Sequence, residues 1–126
     1  MSKAIINTEK APAPIGPYSQ ATKAGNTLFV SGQIAIDPET GNMVLDNITK
    51  ETHQVMKNMG HILTAAGMNF NNVVKCSIFV SDMGNFAAIN SAYGEYFKEN
   101  PPARETVEVS CLPKNVNVEI SCIAVG

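Results

Sequence analysis

No apolar run in this chain of 126 residues approaches the roughly 20 residues that a membrane span requires. The opening MSKAIINTEKAPAPIGPY also lacks the continuous apolar stretch of a secretory signal, because Pro12 and Pro14 interrupt it early. Charge is scarce: Asp, Glu, Lys and Arg make up 16%, and nine basic residues against eleven acidic ones leave a formal net charge of -2. That balance offers no electrostatic footprint for a phosphate backbone, so a dedicated nucleic-acid binder is not expected. Three cysteines, none in a C-x-x-C pair, exclude a disulfide framework or a ribbon-type zinc site. Cys76, Cys111 and Cys122 each fall in a strand-like segment and read as buried, reduced thiols. With no signal segment, they point to the cytoplasm or a similarly reducing compartment. The two histidines, His53 and His61, stand eight apart on one helical segment, about 12 Å along its axis. They cannot share a zinc ion, and they are poorly placed to act together on one phosphate. Neither a P-loop nor a dinucleotide fingerprint occurs.

What is present fits one domain over residues 1–126, large enough for a core without staples. A short strand at Ala4 to Asn7 leads into a Pro-rich connector. Tyr18 to Lys23 and Thr27 to Ser31 then read as a hairpin, with Gly25 and Asn26 supplying left-handed turn conformations. Asp37-Pro38-Glu39-Thr40-Gly41 is a second turn. From an N-cap at Asp46 or Asn47 the period changes: Ile48, Val55, Met59, Ile62 and Ala66 form an apolar stripe that ends near Gly67. Val74, Cys76, Ile78 and Val80 alternate with polar residues as a half-buried strand. Asp82 caps a second expected helix with the stripe Phe86, Ile89, Tyr93 and Phe97, ended by Pro101-Pro102. Arg104 to Cys111 and Val118 to Val125 are the last two strands. The order β-β-β-α-β-α-β-β predicts an α+β two-layer sandwich with both helices on one sheet face. The other face is expected to mix Phe29, Phe79, Ile123 and Val125 with Ser31, Ser77, Thr106, Glu108, Ser110, Glu119 and Ser121. Such half-polar, half-apolar composition suits a subunit interface that holds pockets.

Two side chains carry the candidate chemistry. Arg104, just after Pro101-Pro102-Ala103, either pairs with Glu95 or Glu99 at the surface or offers its planar fork to a substrate carboxylate. Glu119, between Val118 and Ile120, either is an edge-strand charge that discourages aggregation or points into a pocket. In a pocket its pKa would rise and it could exchange a proton with water or substrate.

The runs IGPYSQA (Ile15 to Ala21), VSGQIAIDPETG (Val30 to Gly41), FVSDMGNFAAIN (Phe79 to Asn90), PPARETVEVSCLP (Pro101 to Pro113) and VEIS (Val118 to Ser121) closely resemble the RidA/YjgF family. This is the family of reactive-intermediate deaminases, also called L-PSP endoribonuclease-like, and the resemblance spans essentially the whole chain. It implies a chorismate-mutase-like fold with a mixed β-sheet, and a homotrimer with clefts between subunits. It further implies hydrolysis of 2-iminobutanoate and 2-iminopropanoate to 2-oxo acids and ammonia, without cofactor or metal. The family's carboxylate-binding arginine falls on Arg104 and its water-orienting glutamate on Glu119. Tyr18, Ser31, Gly32 and Asn90 fall on substrate-contacting positions. Thr106 stands where some members carry cysteine, and is read as a hydrogen-bonding wall. Ser121 replaces a second glutamate found in many members. The alternatives are a non-catalytic module that binds small carboxylates, and an endoribonuclease.

Overall fold

The computed structural model describes residues 2–126. In chain order the elements are β1 (Ala4–Ile6), β2 (Ala21–Ala24), β3 (Thr27–Gln33), α1 (Ile48–Ala65), β4 (Val73–Val80), α2 (Phe86–Gly94), β5 (Ala103–Glu108) and β6 (Val118–Val125). The strands form one sheet in the order β1-β2-β3-β6-β4-β5. All neighbours are antiparallel except β4 and β5. Since β6 runs antiparallel to both β3 and β4, those two are parallel to each other, and α1 is the crossover between them. The helix α2 is the crossover from β4 to β5. Parallel strands require such long connections, and crossovers of one hand that progress the same way across a sheet put their helices on one face. The two-layer α+β sandwich with a mixed sheet follows from this topology.

Each end of α1 has a chemical stop. The Asn47 side chain accepts a hydrogen bond from the Lys50 backbone N–H at 2.9 Å, satisfying an orphan donor of the first turn. At the other end Gly67 adopts φ 75°, its N–H bonds to Thr64 O, and Met68 N–H bonds to Leu63 O, both at 2.9 Å. This is a Schellman closure, which a residue with a Cβ enters only with strain. Val55, Met56, Met59, Ile62 and Leu63 are buried against Leu28, Ile78, Ile120 and Ala124 of the sheet.

Several expected boundaries shift. The hairpin strand β2 starts at Ala21 rather than Tyr18, because Gln20 turns its amide toward Thr8, Ala11 and Pro12 and ties down the N-terminal connector. In the Gly25-Asn26 loop only Gly25 takes a positive φ, 58°, as the first central position of a II′ turn needs. Asp82 caps a 3₁₀ turn at Met83–Asn85, not α2 itself. That helix ends at Gly94, and the tighter bonds Tyr96 N–H to Tyr93 O and Phe97 N–H to Gly94 O carry Phe97 into the core beyond it. β5 stops at Glu108, so Cys111 lies past the strand and is exposed, whereas Cys76 and Cys122 are buried as expected.

The largest correction concerns sheet faces. β5 pairs with β4 in the register Cys76↔Arg104, Ile78↔Thr106 and Val80↔Glu108. Cys76, Ile78 and Val80 lie under the helices, so Arg104, Thr106 and Glu108 belong to the helix side. Thr106 and Glu108 are therefore not on the outer face, and Ser110 lies outside the strand. Phe29, Phe79, Ile123 and Val125 do share the outer face with Ser77, Glu119 and Ser121, joined by Glu105 and Val107. Glu105 there accepts from the Ser77 hydroxyl and pairs with Lys75 at 3.0 Å.

A fully buried carboxylate fixes α1 to the sheet. Glu51 accepts hydrogen bonds from Asn117 N and Asn117 Nδ2, both at 2.8 Å, and from Val118 N at 3.3 Å. Glu51→Ala leaves those donors buried and unpaired, and should cost about 2–4 kcal/mol of unfolding free energy. Urea titration checks this, and Glu51→Gln should recover part of the loss.

Candidate functional site

The outer end of β3 is irregular. Its register with β6 slips between Val30 and Gln33, so Ser31 and Gly32 sit in the break. Bulges of this kind re-aim side chains next to sites. Ser31 Oγ donates to Ser19 O at 2.6 Å, which holds the Tyr18 segment beside the break. Tyr18 follows a tight turn (its N–H bonds to Gly16 O at 2.9 Å) and is half exposed. Glu119 extends from β6 across Gly32. A Cβ built on Gly32 would stand only 2.8 Å from Glu119 Cδ and overlap the carboxylate, so any other residue here would push the Glu119 carboxyl out of this position. Tyr18, Ser31, Gly32 and Glu119 together line a cavity of about 350 Å³, closed by Ile15 and Pro113.

Within this cavity the Glu119 carboxyl is pushed above the ordinary glutamate range, and the cause is burial alone. It takes part in no ion pair among the described residues. Such a group holds its proton closer to neutrality than a surface carboxylate does.

Arg104 occupies the other side of the sheet. It is the only arginine in the chain. No described carboxylate pairs with it: Glu95 instead faces His53 at 3.5 Å, and Glu108 accepts from Met83 N at 2.7 Å. Its Cζ lies over two aromatic rings of α2, 5.6 Å from the Phe86 centroid and 5.1 Å from that of Tyr93. A second cavity, of about 340 Å³, is lined by Arg104 with Asn90, Tyr93, Phe97, Pro101 and Pro102. On the same side of the sheet the hydroxyl of Tyr93 and Oγ1 of Thr106 are buried without a well-formed hydrogen bond, and the Cys76 thiol interacts with Tyr93. Burial raises both the Tyr93 phenol and the Cys76 thiol well above their usual ranges, so both are neutral at physiological pH.

The sequence-derived set is thus divided. Tyr18, Ser31, Gly32 and Glu119 converge on the outer face; Asn90 and Arg104 converge on the helix side, and Thr106 shares that side without lining the cavity. Within one chain the two groups cannot reach one small molecule through the sheet between them. Of the two alternatives for Arg104, the pairing with Glu95 or Glu99 is not formed. The sequence reading treated Phe86 and Tyr93 as core stripe only. Their spacing of seven on α2, facing a strand with a lone arginine, is the signal that could have shown their second role. Among the described residues no cluster of three His, Cys, Asp or Glu could hold a metal ion, and no helix is long and apolar enough to cross a membrane.

The burial of Glu119 has a measurable consequence. A carboxyl whose pKa is higher folded than unfolded binds more protons in the native state between those two values, so its contribution to stability falls as pH rises through that window. Glu119→Gln should therefore be more stable than the wild type at pH 7. The difference should vanish below the unfolded glutamate pKa of about 4.3, where both chains carry a neutral group. Urea midpoints at pH 7 and near pH 4 test this.

Comparison with known proteins agrees with this architecture. Residues 8–126 match the family described as Endoribonuclease L-PSP. A RutC family protein of Pyrococcus horikoshii is 55% identical over 97% of both chains. The mouse protein named 2-iminobutanoate/2-iminopropanoate deaminase is 46% identical over 96% of this chain and 90% of its own. The crystal structure of a conserved Rid-family protein from Yersinia pestis superposes with a TM-score of 0.95 at 46% identity, covering 99% of this chain and 100% of the other. By sequence and by fold, the chain belongs to the L-PSP endoribonuclease family, whose members include the Rid deaminases.

Proposed function

We propose that the protein hydrolyses small 2-imino acids, such as 2-iminobutanoate and 2-iminopropanoate, to 2-oxo acids and ammonia, in clefts formed between copies of the chain. The observation that carries this reading is the pair of unneutralised groups, a guanidinium without a carboxylate on one sheet face and a desolvated carboxylate on the other. The name of the mouse relative supports the reaction type. Two different surface patches that must meet make a head-to-tail contact, and such contacts close into rings when the rotation allows. The homotrimer implied by the family resemblance is the smallest such ring above a dimer.

The chemistry follows from the groups available. Arg104 binds the substrate carboxylate with two parallel N–H donors, fixing the carbon skeleton. Asn90 lines the same cavity, whereas Thr106 Oγ1 is buried on that side of the sheet and does not reach it. From the adjoining copy, the backbone at Gly32 and Ser31 approaches the imine, and Tyr18 covers the opening. Glu119 holds a water molecule against C2. The water oxygen adds to the C=N carbon, and its proton passes by way of the Glu119 carboxylate to the nitrogen, giving a carbinolamine. Glu119 then takes the carbinolamine hydroxyl proton and delivers it to the nitrogen as well. The C–N bond breaks with its electron pair leaving on ammonia, and the deprotonated oxygen forms the carbonyl. A carboxyl shifted upward by burial is better matched to this shuttle than an exposed one.

The test is ammonia release when threonine and a threonine dehydratase are mixed with the protein. Glu119→Ala should lower the acceleration about 10²- to 10⁴-fold while 2-oxobutanoate still binds. Arg104→Ala should lose both. Reassociating Arg104→Ala chains with Glu119→Ala chains should restore activity, because mixed rings contain clefts with both groups intact. A wild-type protein that binds 2-oxobutanoate without accelerating ammonia release would instead be a carboxylate-binding module. Failure of the mixed assemblies to regain activity would overturn the shared cleft.

A further inference from the structure

We propose that Phe86 and Tyr93 are positioning residues for Arg104, an aromatic cradle that orients the guanidinium and leaves its N–H donors free for an incoming carboxylate. This rests on the reading of Arg104 as the substrate anchor, and goes beyond it by assigning how the anchor is held.

A partly buried arginine ordinarily finds a carboxylate, because an unpaired charge in a low-dielectric setting is costly. Arg104 has none among the described residues. A fixed carboxylate would orient the fork, but it would also occupy the donors that a ligand needs. Two ring faces solve both problems. A ring face attracts a cation through its quadrupole without offering a conventional hydrogen-bond acceptor, so the N–H donors stay open.

The surrounding structure fits that role. Phe86 begins α2 and Tyr93 lies seven residues on, so one helix face delivers both rings to the same point of β5. Tyr93 is 4% exposed and packs at a tilt against Phe97 with centroids 4.9 Å apart, so its ring has little freedom to move. Its hydroxyl stays protonated, and the cradle therefore carries no anion to compete with the ligand. The cavity beside Arg104 is lined by Asn90, Pro101 and Pro102 together with Tyr93, so the guanidinium is held at its wall.

A single arginine makes the test direct, because one Nε–Hε cross-peak reports it. In the full chain that signal should lie upfield of a free arginine, shifted by the ring currents. Phe86→Leu should move it toward the free position and raise the Kd for 2-oxobutanoate about 2- to 30-fold, the range of one lost cation–π contact. Phe86→Tyr should recover most of both effects, which a purely packing role for Phe86 would not require. Phe86 is 36% exposed, so the leucine variant should fold, and circular dichroism verifies it. An unchanged cross-peak and Kd in Phe86→Leu, or a tyrosine variant as impaired as the leucine one, overturns the cradle. If Arg104→Ala binds 2-oxobutanoate as the wild type does, or the wild type does not bind it, the anchor reading itself fails. Loss of binding in Arg104→Ala with none in Phe86→Leu removes the cradle alone.

Discussion

The parallel register of β5 on β4 is the constraint from which the site's organisation follows. Pairing Cys76 with Arg104 sends the guanidinium to the helix side, while the antiparallel pairing of Phe79 with Glu119 sends the carboxylate to the outer side. Side chains alternate across a sheet with period two, so a one-residue slip of β5 would put Arg104 on the face of Glu119. An arginine and a glutamate on the same face of nearby strands are free to neutralise each other. Separated by the sheet, neither has that option, and each keeps an unsatisfied charge requirement that a ligand can meet.

The two charges are kept apart by different physical means. Arg104 is stabilised by aromatic faces, which attract a cation without consuming its hydrogen bonds. Glu119 is fitted into a space that exists because residue 32 has no side chain, and the surrounding protein desolvates it. The cost of both arrangements is carried by a core that is otherwise well satisfied. Glu51, Asn58 and Gln20, all buried, each find partners: Glu51 at the start of β6, Asn58 at Ile34 O and Ile36 O, and Gln20 along the N-terminal connector. These anchors hold the segments on which Tyr18, Gly32 and Glu119 depend.

Most of the architecture was legible because it is written in period. The α1 stripe, its Asn47 and Gly67 ends, and the alternation of β4 and β6 each have a buried side that leaves a clean pattern. β5 does not. It is an edge strand, mostly exposed, and its residues Glu105, Val107 and Glu108 carry no consistent apolar face. Nothing in Arg104-Glu105-Thr106 states which side is which, and the placement of Thr106 on the outer face was wrong for that reason. The candidate site residues come from short motifs, whereas their division between two faces depends on strand pairing, which the motifs do not encode. The contact of Arg104 with Phe86 and Tyr93 is likewise a product of the β4-α2-β5 crossover, not of sequence proximity.

The family carries ribonuclease in its description, and the residues here bear on that chemistry too. Phosphodiester cleavage by general acid and base needs two titrating groups that reach one phosphate. His53 is engaged by the Tyr96 hydroxyl at 2.8 Å and faces Glu95, while His61 lines a separate cavity of mixed charge with Asp37, Glu39, Lys10 and Lys57. The chain's net charge of -2 does not attract a phosphate backbone, and its one arginine faces a recess lined by Phe97 and two prolines rather than an open basic surface. A recess of that size suits an acid of a few carbons far better than a polynucleotide. The same guanidinium that would make a weak contribution to RNA binding, one contact among the many such binding requires, is sufficient by itself to fix a small carboxylate. That difference in how many charges each ligand demands supports the proposed small-acid substrate over RNA.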